Sequence, residues 1–368
     1  GVDVINMSVG EPDFMTPEPI KEAGKKAIDD NFSKYSPVPG YPALRNAISK
    51  KLKAENGLDY AASEIIVGTG GKQGVCNAIM ALVNPGDEVI VPAPYWVSYP
   101  QMVKLAGGNP VIISAGIEQD FKITAAQLEA SITPKTKMII LCSPSNPTGS
   151  VYTKAELDEL AKVVSSHKDV FVLSDEIYEH INYIGKHASI AACPNMKERT
   201  IICNGVSKAY AMTGWRLGWV AAPEWIVKGL NKLQGQYTSG TSSVSQMAAL
   251  AAYEGDQQCV EDFRKTFQRR RDLIVNLAKD IPGLEVNIPQ GAFYLFPKCS
   301  SFFGKSNGKY TINNSTDFAM YLLEEGHVAT VGGDDFGSPD CFRMSYATSD
   351  DNIKEALQRI KDALSKLK

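Results

Sequence analysis

The chain has 368 residues, 44% of them hydrophobic, with 38 lysines and arginines against 41 aspartates and glutamates. That is enough apolar content for a large core and enough length for one large unit plus a smaller one. A net charge of −3 without like-charge blocks excludes the basic footprint of a nucleic-acid binder, and no apolar run is long enough to make a membrane a partner.

In chain order, residues 1–16 read as an extended arm with turn chemistry in "GEPDF". The start "GVDVINMSVG" lacks the basic and apolar stretches of a signal peptide. From about residue 60 to 220, strand-like runs alternate with helical patterns: "EIIVGTGG", "KQGVCNAIMALV", "DEVIVPAP", "SYPQMVKLAG", "NPVIISA", "KMIILCSPSNPTG", "TKAELDELAKVVSSH", "DVFVLSDEIY" and "RTIICNGVSK". Such alternation predicts an α/β fold with a mostly parallel sheet covered by helices. The strands are apolar throughout, as strands buried on both faces are. From about 260 a long basic helix, "FRKTFQRRRDLIVNLAKD", is followed by "LEVNIPQGAFYLFP", "STDFAMYLLEEG", "VATVGGDDFG", "CFRMSYA" and a terminal amphipathic helix. This part reads as a smaller α+β domain. The expected division is 17–265 for the large domain, with 1–16 and 266–368 forming the small one.

Seven cysteines at wide spacings, with no C-x-x-C, read as reduced thiols in the cytoplasm. The four histidines form no ligand cluster with a cysteine pair, so no metal is expected.

The informative polar residues follow strands. Asn146 comes after "KMIILC", Asp175 after "VFVL" and Lys208 after "TIIC". In open α/β sheets, ligands bind beyond the carboxyl ends of the strands, so these three could converge, although Asn146 and Asp175 also suit turns. Lysine is rarely buried unless paired, which sets Lys208 apart. The loop "VGTGGKQGV" follows a strand and opens a helix, a geometry that holds an anion on backbone N–H groups. It is neither of the common nucleotide motifs, because Ile66 and Gln73 stand where each requires glycine or serine/threonine. A lysine, a carboxylate, an anion cup and nearby aromatics form the set that pyridoxal phosphate needs.

The segment "GVSKAYAMTGWRLG" resembles the lysine-attachment signature of class I aminotransferases, pyridoxal-phosphate enzymes of fold type I. "SVGEPDF", "KYSPVPGYPALR", "GGKQ", "APYWVSYP", "SPSNPTG", "SDEIYEH", "GAFY" and "FRMSYATS" match in the family's order. The wording is most similar to prokaryotic aspartate aminotransferases of the Iβ subgroup. The resemblance implies that Lys208 is the Schiff-base lysine and moves the proton, and that Asp175 pairs with the ring nitrogen. Tyr178 and Asn146 would bond the phenolic oxygen, and Trp96 would stack on the ring. Gly71, Lys72, Ser207, Arg216 and a partner subunit's Tyr35 would hold the phosphate. Arg343 would bind the substrate α-carboxylate with Gly10 closing over it. Two departures stand out. Gly205 and Val206 precede Ser207, where many relatives offer a second hydroxyl. The partner-subunit arginine that reads a distal carboxylate in other aspartate enzymes has no match, and the resemblance to the Iβ subgroup implies that Lys72 would take that role.

The implied activity is transfer of an amino group from L-aspartate to 2-oxoglutarate by a cytoplasmic homodimer, with amino and 2-oxo acids as its small-molecule partners. Prephenate or aromatic substrates, a β-lyase on the same fold and, last, a regulatory cofactor-binding module are the alternatives. Tyr99 and the aromatics of "GAFYLF" read as core, His180 as locally bonded, and Arg269, Arg270 and Arg271 as a solvated helix face. The "TSGTSS" run at 238–243 reads equally as a border of the site or a helix cap.

Overall fold

The computed structural model describes all residues, 1–368. The arm carries β1 (Ile5–Asn6), and α1 (Glu18–Asp29) and α2 (Pro42–Lys51) follow it. Then come β2 (Ile65–Gly68), α3 (Gly71–Leu82), β3 (Glu88–Ala93), α4 (Ser98–Leu105), β4 (Asn109–Ser114), α5 (Ala125–Ser131) and β5 (Thr136–Cys142). The series continues with α6 (Lys154–Ser166), β6 (Phe171–Asp175), β7 (Thr200–Gly205) and β8 (Gly218–Ala221). These seven strands, β2 to β8, make one sheet in the order β2-β8-β7-β6-β5-β3-β4. Neighbours from β4 to β7 are parallel, whereas β8 runs antiparallel to both β7 and β2. The sheet is therefore mostly parallel, as expected. Strand β8, built from "GWVA", was not among the expected elements: Gly214, Arg216 and Gly218 in the "GWRLGWV" region interrupt its apolar pattern.

The period-two alternation of side chains divides the strands between the sheet's two faces. Ile90, Ile139, Leu141 and Val172 pack in one cluster, and Val89, Val91, Met138, Ile140 and Leu173 in another. Strand β4 departs from the expectation of doubly covered strands. It is the sheet's edge, and Ile112 there is exposed. Helices α5 and α6 start at capping boxes, Thr124 with Gln127 and Thr153 with Glu156.

Beyond the sheet lie α7 (Glu224–Tyr237), α8 (Ser243–Glu254) and the long α9 (Gln258–Lys279). The remaining elements are β9 (Tyr294–Leu295), α10 (Ser315–Gly326), β10 (Val328–Ala329), β11 (Val331–Gly332), β12 (Phe342–Ser345) and α11 (Asp350–Leu364). Strands β11, β12 and β9 form an antiparallel sheet, and β1 pairs in parallel with β10. Ile5 and Met7 of the arm pack in one core with Phe318, Leu322, Val328, Met344 and Ile360. Ser242 caps α8 by accepting from the Ser245 N–H, so the 238–243 run does serve as a cap. No helix is long and apolar enough to cross a membrane, and all seven cysteines are free.

The expected solvated face of α9 holds only for Arg269. The buried Arg270 guanidinium donates twice to Asp13 of the arm, at 2.7 and 2.9 Å, beside the Phe14 ring. Arg271 donates to the Pro289 carbonyl and lies over Tyr183. Three adjacent helical residues point in three directions, so a run of arginines does not define one face.

Candidate active site

The carboxyl ends of β5, β6 and β7 lie side by side, with Cys142 in register with Asp175, and Asp175 with Cys203. The loops leaving them enclose a cavity of about 600 Å³. Eleven of the twelve residues expected at the site line it: Gly10, Gly71, Lys72, Trp96, Asn146, Asp175, Tyr178, Ser207, Lys208, Arg216 and Arg343. Tyr35 does not; it is 98% exposed on its own chain.

The chain reverses at Gly70, in the left-handed region at φ 79°, and α3 begins at Gly71. Its first N–H groups have no intrahelical partner and point toward the cavity end of the helix. A Cβ on Gly70 would lie 2.5 Å from Arg216 Nη2, so the missing side chain is what lets the guanidinium sit against this turn. Arg216, itself left-handed at φ 52°, donates to the Thr213 carbonyl. Thr241 of the 238–243 run reaches the Arg216 carbonyl from behind at 3.5 Å but does not line the cavity. Helix N-terminus, Arg216 and Ser207 make an anion cradle.

Lys208 Nζ donates to the Gly10 carbonyl at 2.5 Å. Burial pulls its amine down from 10.5 to about 8; the Glu11 and Asp175 carboxylates oppose this, and Arg343 and Arg216 add to it. Burial raises the Asp175 carboxyl, against the hydrogen bonds it accepts from Tyr99 Oη to Oδ2 at 2.7 Å and from the Ile177 N–H to Oδ1 at 3.3 Å. Arg343 donates to Asn146 Oδ1 at 2.9 Å and to the Ser8 carbonyl at 2.7 Å, and its buried Nε has no partner. The Lys72 ammonium lies 4.8 Å from the Trp96 ring centroid.

Two site residues had read as core. Tyr99 is buried, yet it lines the cavity and holds Asp175. Tyr294 of "GAFY" bonds Tyr178 Oη at 2.7 Å and lies under the Arg343 guanidinium. Glu11 also lines the cavity and accepts from Thr213. The one available signal was position: Tyr99 stands three residues after Trp96 on α4's first turn, and the two rings meet edge-on at 5.4 Å. His180 bonds Glu55, as a locally bonded histidine would.

The donor set suits a ligand with an anionic group at one end and a ring nitrogen facing a carboxylate. Four cations line the cavity against three carboxylates, leaving room for negative charge. The unpartnered Arg343 Nε is a further donor at the wall.

The profile of aminotransferase class I and II matches residues 2–360. The chain is 48% identical over its full length to the bifunctional aspartate aminotransferase and glutamate/aspartate-prephenate aminotransferase of Petunia hybrida, covering 78% of that protein. It is 49% identical to the aspartate/prephenate aminotransferase of Cereibacter sphaeroides, over 98% of this chain and 91% of the relative. Among solved structures, the aspartate aminotransferase of Rhizobium meliloti superposes with a TM-score of 0.96 at 46% identity, covering 99% of this chain and 92% of that one. An aromatic aminotransferase of Pyrococcus horikoshii superposes with a TM-score of 0.93 at 40% identity, covering 99% and 96%.

Proposed function

The chain belongs to the class I and II aminotransferases, which use pyridoxal 5'-phosphate, and from that premise we propose that it transfers an amino group from L-aspartate to 2-oxoglutarate, giving oxaloacetate and L-glutamate. The observation that carries this reading is the placement of a buried, low-pKa lysine, a buried carboxylate and an arginine fork around one cavity beside a helix N-terminus. Bound there, the cofactor supplies an electron sink for the pair left when the substrate Cα–H bond breaks.

The roles assigned to the chain's own residues are those the family resemblance implies, and the chemistry of each suits its role. The N–H groups of Gly71 and Lys72, with Ser207 and Arg216, hold the phosphate. Asp175 faces the ring nitrogen, where a positive partner offsets the burial that otherwise favours its protonated form. Tyr178 and Asn146 bond the phenolic oxygen, and Trp96 covers the ring. Lys208 would hold the cofactor covalently; as a free amine, its lowered pKa leaves a usable neutral fraction near neutral pH, so Nζ would take and return the Cα proton. Arg343 binds the α-carboxylate with its planar fork, and the Gly10 backbone closes over it. We assign residues 17–265 to the large domain, and 1–16 with 266–368 to the small one. The working unit is a cytoplasmic homodimer in which each Tyr35 completes the neighbouring site.

Lys72 is the residue proposed to read the distal carboxylate. A charge-assisted bond there contributes about 1.5–3 kcal/mol, a roughly ten- to hundred-fold preference for aspartate over a neutral donor. The test compares Lys72→Met with the parent on aspartate and on phenylalanine. Selective loss of kcat/KM toward aspartate supports the role. Equal loss toward both assigns Lys72 to the cofactor instead, and release of ammonia with pyruvate in place of keto-acid transfer would overturn the aminotransferase reading. A second acceptor, prephenate, is favoured by the aromatic wall: the Arg343 guanidinium lies 4.7 Å from the Tyr294 ring and 5.0 Å from the Phe336 ring. The names of the relatives point the same way.

A further inference from the structure

The densest buried charge outside the cavity lies behind it, in the wall of a separate polar cleft of about 790 Å³. Lys51, the last residue of α2, and Glu179, which directly follows Tyr178, form an ion pair whose side chains are each 4% exposed. Glu179 Oε1 also accepts from Asn204 Nδ2 at 2.7 Å, and Oε2 from Asn56 Nδ2 at 2.9 Å. Lys51 donates in addition to Asn56 Oδ1 at 2.8 Å. Asn204 uses its own Oδ1 to accept the Gly205 N–H at 2.7 Å. Glu55 and His180 flank the cluster on the cleft side, Glu55 3.4 Å from the Lys51 ammonium and His180 Nδ1 3.8 Å from Glu179 Oε1.

It is not a metal centre. Ligand atoms of Glu55, Glu179 and His180, and likewise of Glu176, Glu179 and His187, lie within 4.8 Å of one another, but the Lys51 ammonium already supplies the cation at Glu179 and lies 3.4 Å from Glu55, and Glu176 is taken up by His187, Ser174 and Ser189. Stability alone does not account for it either, because a buried ion pair is often no better than well-packed apolar side chains of the same volume. What the cluster supplies is directional attachment among three segments: the end of α2, the loop after β6 and the end of β7. Two of these carry the chemistry. Glu179 is covalently next to Tyr178, and Asn204 lies on the strand that leads to Ser207 and Lys208. Across the cavity wall, Lys208 Nζ stands 5.7 Å from the Tyr178 ring centroid.

We propose that the Lys51–Glu179–Asn204 bridge is a positioning device that sets the Tyr178 loop against the Lys208 loop, fixing the cofactor's phenolic side relative to the amine. The inference rests on the aminotransferase reading. None of the three residues touches the cavity; they act through Tyr178 and Lys208.

The test uses the holoenzyme and two variants. Lys51→Met/Glu179→Leu replaces the pair with apolar side chains of similar size and leaves no lone buried charge. Asn204→Leu cuts the link to β7, together with the bond from the Gly205 N–H to Asn204 Oδ1, and keeps the ion pair. Melting temperature, kcat and KM for the amino donor, and the visible circular dichroism of the bound cofactor without substrate are read for each. The expected result is a melting temperature near that of the parent for the double variant and a lower one for Asn204→Leu, with at least a ten-fold fall in kcat, little change in KM and an altered dichroic band in both. Parent-like kcat and dichroism in either folded variant would overturn the proposal. If the double variant does not fold, Asn204→Leu decides alone. A parent enzyme that fails to transaminate any donor sinks the functional reading, whereas the parent-to-variant ratios and the substrate-free dichroism judge the bridge.

Discussion

Lys208 gives a prediction that needs no cofactor. Burial holds its amine at about 8, against 10.5 in the unfolded chain. Between those values the unfolded chain binds more protons than the folded one, so stability rises with pH across the window. Below pH 8 both states are protonated and the whole cost of the buried charge stands, about 3 kcal/mol. Methionine keeps much of the lysine stem and removes the titration. It also removes the hydrogen bond to the Gly10 carbonyl, worth about 1 kcal/mol. Cofactor-free Lys208→Met is therefore expected to be about 2 kcal/mol more stable than the parent at pH 7. The advantage shrinks as pH rises above 8, and by 10.5 only the lost hydrogen bond remains, leaving the variant about 1 kcal/mol the less stable. Urea denaturation of both cofactor-free proteins at several pH values measures it. A variant no more stable than the parent at neutral pH, or a difference that stays flat with pH, would refute the claim that this lysine sits where its charge is disfavoured.

Three further outcomes are expected. Tyr99→Phe removes a hydrogen bond to a buried carboxylate worth about 1.5–3 kcal/mol, so proton affinity at Asp175 rises about ten- to a hundred-fold; infrared titration of the carboxyl band in the cofactor-free protein, with Asp175→Asn as the blank, reads it, and an unmoved band contradicts it. Asp175→Ala lowers kcat far more than it lowers cofactor affinity, as stopped-flow half-reactions and equilibrium dialysis would show; an unchanged half-reaction rate rules the role out. Mixing inactive Lys208→Ala chains with Tyr35→Ala chains restores activity, because each hybrid dimer holds one intact site; failure to regain activity, or an active monomer in sedimentation, removes Tyr35 from the neighbouring site.

Much of the sheet and the centre of the site were legible because they obey short-range rules. Apolar runs of even spacing marked β3, β5, β6 and β7, and polar residues just past their ends marked Asn146, Asp175 and Lys208. What stayed hidden depends on partners distant in the chain. Tyr99 and Tyr294 look like any buried aromatic until Asp175, 76 residues on, and Tyr178, 116 residues back, are placed beside their hydroxyls. Arg270 looks like a surface charge until Asp13, 257 residues away, folds onto it. Lys51 and Glu179, 128 residues apart, carry no sequence signal of their pairing. Strands of two residues, such as β9 and β10, are too short to show any period.

The bond from Arg343 to the Ser8 carbonyl spans 335 residues, and it divides the site in the order of synthesis. The anion cradle and the reactive amine are encoded by residue 216, so the large sheet holds both once β8 has paired. The carboxylate fork is encoded near the end, and the arm that braces it waits from the beginning. At ~5–20 residues per second, roughly 6–25 seconds on the ribosome separate residue 216 from residue 343. The cradle and the amine are thus made well before the arginine fork, and the first residues of the arm, which pair with β10 and accept from Arg343, wait longest for their partners, although Gly10 and Glu11 farther along it meet Lys208 and Thr213 sooner.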